Sequence, residues 1–220
     1  MQQALLACGI AYPATYIAAN DVVAARIYRG YSRTDQAISE LSATEAPSKD
    51  FLAAMLPVFV LQVIGFGVGV RQVADENRPL RVTGNLLIAQ GLAFPLWRFF
   101  PMTSREEMVE GTVATNDVGH LALTVVSILV IFGQMGVSAA ALDTRFRRFS
   151  LAMAAVILAS GGLTGAMSSD IAKGGATRGM GIVERTSYGS WLLWMAVLAV
   201  VLLRRSREPA KTRLVVRTPS

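Results

Sequence analysis

Six runs of mainly apolar residues alternate with short polar stretches along the chain, at residues 5–24, 51–70, 80–97, 118–142, 149–168 and 186–203. A helix needs about 20 such residues to cross roughly 30 Å of hydrocarbon. In lipid each backbone polar group must be satisfied within its own segment, so the runs are expected as helices, not strands. The second, fifth and sixth runs carry no charged residue. Helices apolar on every side are rare in a soluble chain this short. The predicted class is therefore an all-α integral membrane protein, a bundle of six transmembrane helices with short helical segments in the non-cytoplasmic loops. Residues 1–204 would form one transmembrane domain, and 205–220 a basic cytoplasmic tail.

The connections differ between the two ends of the bundle. Those at 71–81 and 143–148 are short and basic, as expected for hairpins between antiparallel neighbours. The others, about 26–50, 98–117 and 169–185, are longer and carry helix signals. Ser32-Arg33-Thr34-Asp35 has capping-box spacing ahead of a short helix at 36–41, and Ser104-Arg105-Glu106-Glu107 repeats it before Met108. Pro47 and Ser48 mark the start of the second span, with Asp50 in its first turn. Gly174-Gly175, in the last outer loop, reads as a flexible element. Pro13, Pro57 and Pro95 fall within spans and are expected to bend them. The glycines at 65, 67 and 69, and those at 161, 162 and 165, give small-xxx-small spacing, expected to mark tight helix interfaces.

Composition agrees with the pattern: hydrophobic residues make up 53%, charged residues 16%, and mean hydropathy is +0.45. The net charge is +6, and its distribution is more informative than its size. Twelve of the 21 lysines and arginines lie on the face that holds both termini, against four acidic residues there. The opposite face holds nine basic and ten acidic residues. The positive-inside bias puts both termini in the cytoplasm of a multi-pass cell-membrane protein. Nucleic acid is not expected as a partner; membrane lipids are, with another membrane or envelope protein as a further candidate.

Ionisable groups gather at the non-cytoplasmic span ends. Asp21 closes the first span and Arg98 the third. Asp117 and His120 share a helix face at the start of the fourth, Asp170 follows the fifth, and Glu184 and Arg185 precede the sixth. Ser39 and Glu40 lie in the first outer loop. Charges at the edge of hydrocarbon pair with one another or face a cavity. One reading is a set of ion pairs tying helix ends, such as Asp21 or Asp170 with Arg98 or Arg185. The other is a polar pocket, with Asp21, Glu40, Arg98, Asp170, Glu184 and Arg185 as binding residues. There His120, oriented by Asp117 and assisted by Ser39, would be the candidate catalytic group, since imidazole titrates near neutrality. One His and one Cys cannot build the usual zinc sites. Phosphate loops, nucleophile elbows and dinucleotide fingerprints are absent. No metal or cofactor is expected.

The segment from Gln36 to Pro47, Phe100-Pro101-Met102, the Asp117/His120 pair and Gly181-Ile-Val-Glu-Arg185 occur in this order. Together they resemble a family of six-span bacterial membrane proteins catalogued as a domain of unknown function, nine-nine-eight. The resemblance spans nearly the whole chain and implies a six-helix fold in the bacterial inner membrane, with no activity attached. Where that family usually has Gly, this chain has Glu45. The Ile-Ser-Glu…Pro loop and the His of the fourth span are more distantly similar to the eukaryotic Frag1/DRAM group. Three functions fit: a protein binding a lipid head group, small amphiphile or partner at an outer pocket; a lipid-modifying enzyme using His120 as acid/base; and a small permease.

Overall fold

The computed structural model describes residues 1–105, 107, 115–171 and 177–207. Among the described residues the chain is all-helical. The first helix, α1 (Gln2–Ile17), continues through a π-helical turn at Ala18–Ala24 into the short α2 (Ala25–Ile27). Next come α3 (Lys49–Val73) and α4 (Arg78–Ala93), the latter prolonged by a 3-10 turn at Phe94–Arg98. The remaining helices are α5 (Thr115–Ala141), α6 (Thr144–Ile171) and α7 (Met180–Arg207).

Four helices among the described residues, α3, α5, α6 and α7, are long and apolar enough to cross a membrane. Large apolar side chains stand exposed along them. Leu61, Leu121, Leu129 and Leu158 are each 63–70% exposed on these helices. A water-soluble monomer rarely leaves contiguous apolar area of that extent uncovered. This is the surface of a multi-pass membrane protein.

Helix packing runs in chain order and then closes. α1 packs on α3, α3 on α4, α4 on α5, α5 on α6 and α6 on α7, and α7 returns to α1. The tightest crossing is between α3 and α4. There a Cβ on Gly67 would sit 2.8 Å from the Gly84 carbonyl oxygen, and one on Gly84 would sit 2.7 Å from that of Gly67. Only hydrogen fits on either side, which lets the two backbones touch. Gly65 and Gly69 face α1 across Cys8 and Leu5. The second glycine group behaves otherwise: Cβ atoms on Gly162 or Gly165 would meet nothing within 4 Å. The expectation of a tight interface within the chain fails for those two, which α6 turns outward, while a Cβ on Gly161 would make an ordinary contact with Ser187 Oγ at 3.7 Å.

Local signals explain several boundaries. Asn77 caps α4 by accepting from the Leu80 N–H, with Pro79 in the first turn, where its missing donor costs nothing. α3 starts at Lys49 after Ser48, with Asp50 in its first turn, as the sequence indicates. α4 gives way to a 3-10 turn that has Pro95 near its start. The helix expected at 36–41 is instead a 3-10 turn at Ile38–Ser42, although Ser32 Oγ does accept from the Asp35 N–H as a capping box would. Ser104 and Glu107 do make the reciprocal pair of a capping box, while the residues that would come after it lie outside the described ones. Gly174-Gly175 lies there too. At the other end, α7 runs on through Arg205 to Arg207, and Arg205 reaches Asp143 at 3.5 Å. Residues 208–220 of the expected tail are outside the described residues.

Candidate functional site: a cavity under the outer loop

The π-helical turn at Ala18–Ala24 changes the rotation of the first helix just where polar residues appear. Such turns insert a residue into the helical register and re-aim the side chains beyond it. Here Asn20 faces the interior of the ring, and Asp21 reaches the start of α7, where Arg185 Nε donates to its Oδ1 at 2.7 Å. The same guanidinium donates to the carbonyl oxygens of Arg33 (2.9 Å), Gly181 (3.2 Å) and Gln36 (3.3 Å), and to Tyr31 Oη (2.8 Å). A planar fork with five donors suits this task, which an ammonium could not perform.

Gly181, one turn earlier, lies directly beneath the loop. A Cβ there would fall on the carbonyl oxygens of Arg33 and Gln36. Glu184 accepts from the Ile38 N–H and, at 3.4 Å, from Ser39 Oγ. The Gly-x-x-Glu-Arg segment is thus the seat of the first outer loop: glycine admits its backbone, arginine takes its carbonyls and glutamate takes its N–H. Thr177 and Gly179 extend the seam, donating to the Asp35 carbonyl and carboxylate at 2.9 Å each.

A second carboxylate holds the loop from the other side. Glu40 is 3% exposed and accepts from Ala37 N–H (2.9 Å), Gln36 Nε2 (2.9 Å) and both arms of Arg105, at 2.8 and 3.2 Å. Paired and fully hydrogen-bonded, a buried carboxylate is tolerated. Glu107 accepts from Thr44 and Ser104, and those bonds hold its carboxyl below the usual range. Bonds from Gly179, Ser32 and Thr34 do the same for Asp35. Tyr31, half-buried, has its phenol pushed up to about 12 by burial, partly offset by the neighbouring Arg185.

Beneath this loop a cavity of about 550 Å³ opens inside the ring. Its mouth holds Arg98, His120, Glu184, Ser39, Lys49 and Asp50. Its walls are apolar and aromatic: Tyr12 stacks on Phe94 and meets Trp191 edge-on, and Tyr16 stacks on Tyr188 at 4.5 Å. Tyr12 and Tyr188 join hydroxyls at 2.5 Å. Further in lie Gln90, Ser127, Ile131 and Ile157.

The candidates named from sequence thus divide. Ser39, Arg98, His120 and Glu184 line one cavity. Asp21, Glu40 and Arg185 sit in the scaffold that fastens the loop above it. Asp170 belongs to α6, but its side chain lies outside the described residues. Asp117 accepts from the Thr103 N–H at 2.9 Å and hydroxyl at 2.7 Å, fixing the start of α5. The hydrogen bond that orients the His120 ring comes from elsewhere: Nδ1 lies 3.0 Å from the Phe100 carbonyl oxygen, with Trp97 edge-on at 4.8 Å. A carbonyl can only accept, so Nδ1 carries a proton and, in the neutral ring, Nε2 is the nitrogen with the lone pair. Sequence reasoning missed the aromatic wall, since aromatics within spans look like ordinary interior. The pairing of Asp21 with Arg185 was one of the alternatives it left open. Among the described residues no three His, Cys, Asp or Glu side chains assemble as a metal site.

A family model described as a protein of unknown function (DUF998) matches residues 9–201. No curated protein and no solved structure matches the chain.

Proposed function

The chain belongs to that family of unknown function, DUF998, and from the cavity we propose that it binds a small amphiphile within a ring of six membrane-spanning helices. In this reading the first helix with its π-helical turn, and α4 with its 3-10 turn, cross the bilayer beside the four longer helices. Both termini are cytoplasmic, and the cavity mouth opens to the opposite side. Short basic hairpins at one end and near-neutral, hydrogen-bonded loops at the other support that orientation.

The observation that carries the proposal is the polarity gradient of the 550 Å³ cavity. A polar mouth at Arg98, His120 and Glu184 leads to walls of tyrosine, tryptophan, phenylalanine and isoleucine. Ligand sites commonly measure about 300–1,000 Å³, are apolar in the main and carry a few convergent polar groups. The space suits a single-chain or compact amphiphile and is small for two acyl chains. Arg98, which has no ion pair among the described residues, offers charge to an acidic head.

Trp97 and Trp191 line the cavity, so a brominated single-chain fatty acid should quench tryptophan fluorescence saturably in nanodiscs. Ile131→Trp, which fills the inner part of the space, should abolish the saturable component. Quenching that rises linearly with probe, as from bulk lipid, sinks the proposal.

One observation favours an enzymatic reading as the second choice: with Nδ1 bonded to the Phe100 carbonyl, the neutral His120 ring has Nε2 as its acceptor at the cavity, an arrangement suited to general base catalysis. Lipid profiles of a deletion strain carrying wild type, His120→Ala or empty vector test it. A lipid species restored by wild type alone supports the enzyme, and identical profiles remove it.

A further inference from the structure

Gln90 is the polar group the cavity does not explain. It is 4% exposed and lines the inner part of the space. Its Nε2 donates to Ser127 Oγ at 3.3 Å, while its Oε1 is buried with no hydrogen-bond partner among the described residues. A buried acceptor left unmatched carries the full cost of its lost hydration. In a well-packed interior such an atom is uncommon and calls for a reason.

Its depth gives the reason. Gln90 lies eight positions inward from Arg98, through the end of α4 and the 3-10 turn that prolongs it, roughly 14 Å at the rise of those helices. Ser127 lies seven positions inward from His120 on the antiparallel α5, roughly 10 Å. The two therefore meet at one level, a full cavity length below the polar mouth. Ile131, Ile157 and Trp191 surround that level. Between the mouth and this level the lining is mainly aromatic and aliphatic, with Thr124 and the tyrosine hydroxyls among its polar points.

Resting on the reading of the cavity as an amphiphile site, we propose that its occupant carries a second polar group, a hydrogen-bond donor such as a hydroxyl, about 10–14 Å from its head. That donor bonds Gln90 Oε1. The ligand class is a hydroxylated amphiphile, not a plain alkyl chain. Ser127, occupied in accepting from Gln90 Nε2, holds the amide so that its oxygen faces the ligand.

The inference reverses an ordinary preference. In a wholly apolar pocket a terminal hydroxyl weakens binding, because its hydration is lost without return. Opposite Gln90 it strengthens binding. Lauric acid and ω-hydroxylauric acid are the probes, each titrated against the full-length protein in nanodiscs by tryptophan fluorescence. The wild type should prefer the hydroxylated probe by about three- to tenfold, the worth of one buried hydrogen bond. Gln90→Leu should bind lauric acid at least as well as wild type and disfavour the hydroxylated chain, which also establishes that its cavity is intact. Gln90→Met serves if the leucine variant fails to fold. Lauric acid binding equally well or better in wild type overturns the assignment while leaving the amphiphile site standing. Saturable binding of neither probe overturns both.

Discussion

Arg185 and Asp21 stand 164 positions apart in the chain, yet their side chains meet at 2.7 Å where α7 and the first helix come together. The contact ties the last helix to the first, and the other bonds of Arg185 tie both to the outer loop. Side-chain exposures of 19% and 23% make it a partly buried pair.

Arg185→Ala leaves Asp21 and three loop or helix carbonyls without their donor. The cost should be about 3 kcal/mol, at the lower end for breaking a buried pair because water reaches this one. In a protein of this length that lowers Tm by roughly 6–12 °C. Arg185→Lys should recover less than half, since an ammonium cannot span the same acceptors. Thermal unfolding in nanodiscs measures both, and equal Tm values for wild type and the lysine variant would contradict the fork geometry.

Gly181→Ala should detach the outer loop without unfolding the helices. The added methyl meets the Arg33 and Gln36 carbonyl oxygens, an overpacking worth about 1–3 kcal/mol. Hydrogen exchange at 31–42 should speed up while amides of α3 stay protected. Unchanged exchange in the loop would show that it sits elsewhere.

Alkaline pH should loosen the same seam. The Tyr31 phenol is raised from 10.0 to about 12. Above pH 10 the unfolded chain releases a proton that the folded one keeps, so this contribution is intact below pH 10. It declines as pH rises from 10 towards 12. Asp35 and Glu107 act in the opposite sense. Their folded values are depressed, so their contribution is full above the ordinary carboxylate range and lost as pH falls through the folded values. Difference absorbance between wild type and Tyr31→Phe locates the phenol; ionisation near 10 would place Tyr31 in water.

The proposed orientation is checked with cysteine labelling in a Cys8→Ser background. Ser42→Cys, exposed beside the cavity mouth, should react with a membrane-impermeant maleimide in intact cells. Ser206→Cys, near the other end of α7, should react only after lysis. The reverse pattern would invert the topology.

Much of this architecture is legible in the chain because its causes are local. Long apolar runs give the helices, Ser104 and Glu107 give a capping box, and Ser48 with Asp50 gives the start of α3. The Gln36–Pro47 and Gly181–Arg185 segments stand out by themselves as specific. That one is the seat of the other is not local: Ile38 and Glu184 are 146 positions apart, and no spacing rule encodes such a contact. Gly162 and Gly165 mislead for a related reason. Small-residue spacing tells that a close approach is possible, and only the packing of α6 decides which way it faces. Gln90 is visible in the sequence as a polar residue inside a span, but its unmatched oxygen is a property of depth, known once α4 and α5 are set side by side.

The ring closes between its first and last members, α1 and α7. During synthesis the first helix can pack on α3 early, but its second neighbour exists only when the chain is nearly complete. Until α7 is in place, Asp21 has no guanidinium, the loop above the cavity has no seat, and the cavity wall lacks Tyr188 and Trp191. A nascent chain stopped before residue 180 presents these unmet groups to the membrane's quality-control proteases, so completion of the final helix is the step that separates a degradable intermediate from a finished protein.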